Sequence, residues 1–198
     1  MPKIAFIMGK SASGKDKIYK HLVEDETLNL NTVTMYTTRP MRVGEVDGEE
    51  YYFVSDEQAH NMEQENRIIE MRAYDTVYGI WKYFTADDGQ IDLNSGKRYI
   101  VIGTLEAYDK FCSHFGKEHI LPIYIEVDDG VRLQRALHRE MKQENPKYDE
   151  LCRRFLADSK DFSEHNINRS GIKRRFYNNE EITDCIAKIT EVINEELK

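Results

Sequence analysis

The feature that most constrains the fold is an apolar run followed by a small-residue loop near the start of the chain. Residues Ile4–Met8 are apolar, with aromatic and β-branched members, which predicts a buried strand. A helix is predicted over 15–24 from apolar residues at helical spacing. The loop between them is formed by Gly9, Lys10, Ser11, Ala12, Ser13, Gly14, Lys15 and Asp16. Gly-x-x-x-x-Gly-Lys between a strand and a helix predicts a site for nucleotide phosphates, held by backbone N–H groups, a helix N-terminus and the Lys15 charge.

The rest of the chain alternates predicted strands and helices. Such alternation, with a phosphate loop (P-loop) after the first strand, indicates an α/β fold with a parallel sheet flanked by helices. The interval 37–84 departs from this rhythm and is predicted to be a small β-rich insert, with Ser55 and Gln58 capping a helix over 56–66. The further predictions are an extended segment over 29–36, strands over 51–54, 68–74, 76–84, 98–103, 120–127 and 176–178, helices over 105–115 and either side of Pro146, and a final amphipathic helix from Glu180.

Composition narrows the class of protein. The formal net charge of −8 argues against binding a nucleic-acid polymer, which requires a basic face. No stretch is long and apolar enough for a membrane span, and the first residues do not resemble a signal peptide, so a soluble cytoplasmic protein is expected. The three cysteines are too far apart to suggest a zinc site or a disulfide framework, and the histidines have no metal-ligand spacing. Oligomeric state stays open.

A longer pattern follows the loop. Residues 37–53 match Thr-Thr-Arg-x-x-Arg-x-Gly-Glu-x-x-Gly-x-x-Tyr-x-Phe, which resembles the guanylate kinase family. Ile68-Ile69-Glu70 and Tyr78-Gly79 are similar to the second half of that family's monophosphate site. A weaker similarity to its lid and adenine-side region lies at Arg139, Arg153-Arg154, Asp161 and Asn178-Asn179.

The resemblance implies transfer of the ATP γ-phosphoryl group to GMP or dGMP, with Mg²⁺ as cofactor. It also implies three parts: a core over 1–36 and 85–198, a monophosphate-binding insert over 37–84, and a helical lid at about 139–154. Arginine forks match phosphate oxygens, and a carboxylate accepts from the N1–H and amino group of guanine. The implied acceptor-binding residues are Arg39, Arg42, Tyr51, Glu70, Tyr78 and Thr104, and the implied catalytic residues are Lys15, Arg39, Arg139 and Arg154.

Three positions depart from the family pattern. Ile80 stands where a hydroxyl side chain is usual near the guanine oxygen, and Ile102-Gly103-Thr104 replaces an Asp-x-Asp. Asp16 stands where a Ser or Thr usually meets Mg²⁺, and it is the predicted metal contact. Two alternatives therefore stay open: a kinase for a sugar phosphate such as ribose 1,5-bisphosphate, and a catalytically idle binding module of the same fold. Arg132 is expected to be a solvated partner of nearby acids.

Overall fold

The structure is a computed structural model that describes residues 1–76 and 79–197. Its strands are β1 Ile4–Met8, β2 Leu30–Thr32, β3 Tyr36–Thr37, β4 Tyr52–Phe53, β5 Ile68–Thr76, β6 Gly79–Ala86, β7 Arg98–Gly103, β8 Ile120–Glu126 and β9 Arg175–Tyr177. Its α-helices are α1 Lys15–Glu24, α2 Asp56–Gln64, α3 Leu105–Phe115, α4 Asp129–Glu140, α5 Tyr148–Asp161, α6 Glu164–Arg169 and α7 Ile182–Glu196. Short 3₁₀ turns lie at Glu26–Leu28 and Lys117–His119.

The first sheet has the order β2-β7-β1-β8-β9, and each neighbouring pair is parallel. Every residue of the central strand β1 is fully buried, which explains its unbroken apolar sequence. Helix α3 covers one face through Tyr108 and Phe111, while α1 and α7 cover the other through Ile18 and Ile189. The predicted parallel α/β sheet flanked by helices is confirmed.

The second sheet has the order β4-β3-β6-β5, in which β5 and β6 form an antiparallel pair. Helix α2 packs on this sheet through Ala59 and Met62, which contact Phe84. The predicted capping box is present: the Ser55 hydroxyl accepts from the Gln58 N–H, and the Gln58 side chain accepts from the Ser55 N–H. Strand β5 packs against α3, which begins just after the carboxyl end of β7. The division of the chain into core, insert and lid stays a prediction.

The predicted extended segment over 29–36 contains two strands rather than one, because the chain changes sheets within it. Strand β2 belongs to the first sheet and β3 to the second. Between them, the Gln90 side chain accepts from the Thr34 N–H at 2.8 Å and donates to the Thr34 carbonyl at 3.1 Å. A side-chain amide therefore replaces the ladder partner where the chain leaves the first sheet. Helix α6, capped by Ser163, was not predicted.

None of the helices in the described part of the chain combines the length and apolar character needed to cross a bilayer.

Candidate functional site

The loop between β1 and α1 is tightly packed against its surroundings. A Cβ on Gly9 would lie 2.7 Å from the Ile125 carbonyl oxygen in β8, so only glycine fits there. Ala12 and Gly14 have positive φ angles of 63° and 88°, which turn the chain into the first turn of α1. Successive amides in such a turn can converge on an anion in front of a helix N-terminus.

Asn178, which follows β9 and is distant from the loop in sequence, is hydrogen-bonded to the loop. Its buried side chain donates to the Ser13 carbonyl at 2.8 Å. A Cβ on Gly14 would lie 2.6 Å from the same amide nitrogen. The close approach of Asn178 is thus a second reason, besides backbone conformation, why position 14 requires glycine.

Gly14→Ala is expected to destabilise the protein and to weaken ATP binding. The positive φ alone costs an L-residue about 1–2 kcal/mol, and the clash with Asn178 adds to that cost. Gly89→Ala is the matched control, because Gly89 also has φ +88° but has no atom within 4 Å of its built Cβ. Chemical denaturation should therefore show a larger loss for Gly14→Ala, and calorimetry should show weaker ATP binding for that variant alone. Equal losses in the two variants would show that the contact with Asn178 is unimportant.

Lys15 is the first residue of α1, and its side chain is 21% exposed. Its Nζ lies 3.7 Å from a carboxylate oxygen of Asp16, whose own side chain is 83% exposed. A cavity of about 640 Å³ opens beside the loop, a size typical of small-molecule sites. It is lined in part by Ala12, Gly14, Asp16, Arg139 and Asn178.

The two predicted lid arginines lie near the loop. Arg154 donates to the Ser11 hydroxyl at 3.3 Å, and Arg139 lines the cavity beside Gly14 as well as a smaller one with Ser11 and Arg154. Both side chains are exposed, as a group that closes onto a bound phosphate would require.

The expectation for Arg132 is partly wrong. It does pair with acids, but its side chain is 1% exposed rather than solvated. Its guanidinium lies 3.9 Å from the centroid of the Phe155 ring, which covers it. Helix α5 packs over α4 here, and the helical spacing of the arginines gave no sign of which one it would cover.

Arg132 joins the two helices to the loop through its acids. It donates to Asp129 at 2.9 Å and to Asp158 at 3.3 Å. The same Asp158 oxygen accepts from the Ser11 backbone N–H at 2.8 Å. Burial raises the pKa of Asp129, but the hydrogen bonds and positive charges of Arg132 and Lys10 together outweigh it, and the net shift of the pKa is downward. An ionised network therefore connects α4 and α5 to the phosphate loop.

On the second sheet, Arg39 is buried and bound to Glu45. Two parallel hydrogen bonds of 2.8 and 2.7 Å join its guanidinium to the two Glu45 carboxylate oxygens. The guanidinium also lies 5.5 Å from the centroid of the Tyr51 ring and 5.4 Å from that of Phe53. The hydrogen bond to Glu45 raises the pKa of Arg39. The residues of the 37–53 pattern thus assemble around one charged pair.

Glu45→Gln is expected to change how stability depends on pH. Hydrogen bonds from Arg39 and from the Arg42 N–H hold the pKa of Glu45 at about 2, below its ordinary 4.5. Since the pKa of Glu45 is lower in the folded state, ionised Glu45 stabilises the fold. This stabilisation is complete above about pH 5 and is lost as the pH falls towards 2. The melting temperatures of the wild type and Glu45→Gln should differ most near neutrality and converge as the pH is lowered. A difference that stays constant with pH would contradict this assignment.

The remaining residues of the predicted phosphate site differ in exposure. Arg42 is exposed, and its backbone N–H donates to Glu45 at 2.7 Å. Its guanidinium has no hydrogen bond or ion pair with any residue in the described ranges, so it is available to a ligand. Tyr51 is half-buried and packs edge-to-face against Tyr83. Tyr78 lies outside the described residues.

Glu70 is buried and already bonded. Arg72 donates to its two carboxylate oxygens at 3.2 and 3.4 Å, and the Thr85 hydroxyl donates at 3.1 Å. Arg72 and Thr104 both line a cavity of about 660 Å³ between β5 and the start of α3. Thr104 caps α3, its hydroxyl accepting from the Ala107 N–H at 3.2 Å.

Arg72 was missed at the sequence level. Residues two apart on a strand share a face, so an arginine two positions after Glu70 was a signal that it would meet that carboxylate. In the ranges 1–76 and 79–197, no group of three or more His, Cys, Asp or Glu side chains could hold a metal ion.

Comparisons with known proteins converge on one family. A sequence profile described as guanylate kinase matches residues 1–83. Guanylate kinase of Mycoplasma mobile is 25% identical over 199 residues, covering 98% of this chain and 94% of that protein. Guanylate kinase of Caldanaerobacter subterraneus subsp. tengcongensis is 35% identical over 106 residues, covering 53% of this chain and 51% of that protein.

A solved structure has the same fold. The crystal structure of guanylate kinase from Anaplasma phagocytophilum matches with a TM-score of 0.60 and 22% identity, covering 100% of this chain and 87% of that chain. At this identity the match establishes likeness of fold.

Proposed function

The chain belongs to the guanylate kinase family, and on that premise we propose that it transfers the γ-phosphoryl group of ATP to GMP or dGMP. The main support is that one chain has a phosphate loop after β1 and, on its second sheet, a cluster of arginine, tyrosine and glutamate. The first suits a triphosphate donor, and the second suits a nucleoside monophosphate acceptor.

The proposed roles follow from the chemistry of each side chain. The amides of residues 9–16 and the Lys15 ammonium bind the ATP phosphates. Arg42 supplies an exposed guanidinium to the acceptor phosphate, with the hydroxyls of Tyr51 and Tyr78 as neutral donors. Arg39 is bound to Glu45 and orients this segment. To contact the acceptor phosphate as well, its guanidinium has to donate to Glu45 and to the phosphate at the same time.

The two lid arginines are proposed to bind the phosphoryl group while it is transferred. Arg139 and Arg154 lie beside the loop and would donate to the transferring phosphoryl group once the lid over about 139–154 closes. Phosphoryl transfer depends mainly on positioning and on neutralising charge, which these cations supply. Closure would also exclude water, which otherwise competes with the acceptor.

Mg²⁺ is the proposed cofactor, bound together with ATP. Mg²⁺ keeps several waters and takes most other ligands from phosphates, so one accessible carboxylate suits it. Asp16 is such a group, next to Lys15 and largely exposed. The ion would neutralise charge on the phosphates. The proposed partners are nucleotide substrates, and the proposed location is the cytoplasm.

The alternatives are less well supported. A kinase for ribose 1,5-bisphosphate has no need of a buried carboxylate facing a base, yet Glu70 is buried and bonded on the face that lines the candidate acceptor site. An idle binding module has no need of the tight packing of Gly9 and Gly14 around the loop.

A coupled assay of ADP release with GMP, dGMP, AMP, CMP, UMP and ribose 1,5-bisphosphate tests this function. We expect turnover with GMP and dGMP that depends on both ATP and Mg²⁺. Turnover of ribose 1,5-bisphosphate alone would replace the proposal with the sugar-phosphate alternative. No turnover of any acceptor at saturating Mg²⁺, together with no heat of ATP binding, would leave the idle module.

A further inference from the structure

Strand alternation gives β5 and β6 one face of polar and aromatic side chains. The register pairs Glu70 with Thr85, Arg72 with Tyr83 and Tyr74 with Trp81, so these six share that face. Ile80 pairs with Asp75 and lies on the opposite face, 57% exposed. Because Ile80 is on the other face, the absence of a hydroxyl at position 80 does not change the hydrogen-bond donors of the face that carries Glu70 and Arg72.

Arg72 contributes a guanidinium to this face, and only some of its N–H groups are hydrogen-bonded. Its Nε and Nη2 donate to Glu70, and Nη2 also lies 3.3 Å from the Met35 sulfur. Its Nη1 has no partner among the residues that the structure describes, and the side chain is 24% exposed. Two strong N–H donors are thus available next to Glu70.

Glu70 keeps acceptor capacity of its own. A carboxylate offers about four acceptor positions. Within residues 1–76 and 79–197, Oε1 accepts from Arg72 and Thr85, while Oε2 accepts only from Arg72. Arg72 therefore presents free donors to the cavity that it lines, and Glu70, buried and bonded to Arg72, keeps one free acceptor position beside them.

Arg72 lies close to where the base of an acceptor nucleotide would be. It lines the 660 Å³ cavity with Thr104 and a second cavity of about 340 Å³ with Tyr51 and Tyr83. It thus lies between the predicted phosphate-binding tyrosine and the start of α3. A nucleoside monophosphate with its phosphate near Tyr51 would bring its base towards the Arg72–Glu70 pair.

We propose that Arg72 determines the base specificity of the acceptor by donating to the C6 oxygen of a 6-oxopurine while Glu70 accepts from its N1–H. This rests on the proposed function and deepens it. Guanidinium donors to guanine O6 and N7 are the most frequent specific protein contacts with that base. Adenine has an amino group at C6, so its N–H donors would face the N–H donors of Arg72 and no hydrogen bond could form.

The experiment compares, in wild type and Arg72→Met, acceptors that have the C6 oxygen and the N1–H with one that lacks both. GMP and IMP have the C6 oxygen, whereas 2-aminopurine riboside 5′-monophosphate lacks it and reports its own binding by fluorescence. In Arg72→Met, kcat/KM for GMP and IMP should fall about 10- to 100-fold, the usual size of a charge-assisted hydrogen bond. The Kd of the 2-aminopurine nucleotide should change by less than about threefold, since it makes no such bond.

Two further variants separate specificity from structure. Arg72→Lys keeps a cation beside Glu70, so it should fold and lose GMP activity to an intermediate extent, even where Arg72→Met fails to fold. Arg67→Met removes an exposed arginine paired with Glu65 and should leave every constant unchanged.

Losses of equal size for all three nucleotides would assign Arg72 a purely structural role and overturn the proposal. So would an unchanged or increased kcat/KM for GMP in both variants, as expected if Arg72 only shields Glu70. The proposed function fails separately, if wild type transfers no phosphate to GMP. In that case the binding titrations decide, and a wild type that does not prefer GMP to the 2-aminopurine nucleotide overturns the inference.

Discussion

Lys15→Met is expected to lower kcat for phosphoryl transfer by about 10²- to 10³-fold. Lys15 places an ammonium group at the start of α1, where charge on the transferring group must be neutralised, whereas the other lysine of the loop, Lys10, lies 3.4 Å from Asp129. Loss of one well-placed electrostatic contact of this kind typically has an effect of that size. Methionine keeps the length and helix propensity of the side chain, so folding should be preserved.

The measurement is steady-state kinetics with GMP and ATP, alongside thermal unfolding. Lys20→Met is the matched control, because Lys20 lies on the exposed side of α1 and pairs with Glu24 at 3.6 Å. Its kcat should equal that of the wild type. If Lys15→Met retains kcat within about threefold, the loop does not position ATP in the proposed way.

Arg132→Met is expected to lower the free energy of unfolding by about 3 kcal/mol, because removing one partner of a buried ion pair leaves the other charge uncompensated. The charge left behind is mainly that of Asp158, whose side chain is 19% exposed. Since Asp158 also accepts from the Ser11 N–H, the affinity for ATP should fall as well. Chemical denaturation and calorimetric titration with ATP measure the two effects.

Two variants test whether burial is the cause. Arg153→Met removes an exposed pair with Glu150 on the same helix α5, and it should lower the free energy of unfolding far less than Arg132→Met does. Asp158→Asn combined with Arg132→Met should recover part of the lost stability, because no unpaired carboxylate is left. Equal losses for Arg132→Met and Arg153→Met would show that the buried network contributes nothing of its own.

Much of the fold could be predicted because its patterns are local. The apolar run of β1, the glycines of the loop and the capping box of Ser55 and Gln58 each lie within a few residues. Such patterns depend on backbone preference and burial, which neighbouring residues determine. The 37–53 pattern is also short-range, and its Arg39 and Glu45 meet across six positions.

What failed at the sequence level depended on distant partners. The change of sheet between β2 and β3 depends on Gln90, which is 56 positions from Thr34. The burial of Arg132 depends on α5 packing over it, and its bond to Asp158 joins residues 26 apart. No periodicity within either segment reports such contacts.

The sequence by itself determined the phosphate loop, the parallel sheet and the family pattern on the insert, because spacing along the chain is enough to encode them. Only the tertiary structure decided which charges are free and which are paired. Arg39 is occupied by Glu45, Arg132 is enclosed by two acids and Phe155, and Arg72 keeps two donors beside Glu70. The state of a charged side chain depends on every element packed around it, and in a folded chain those elements come from distant positions.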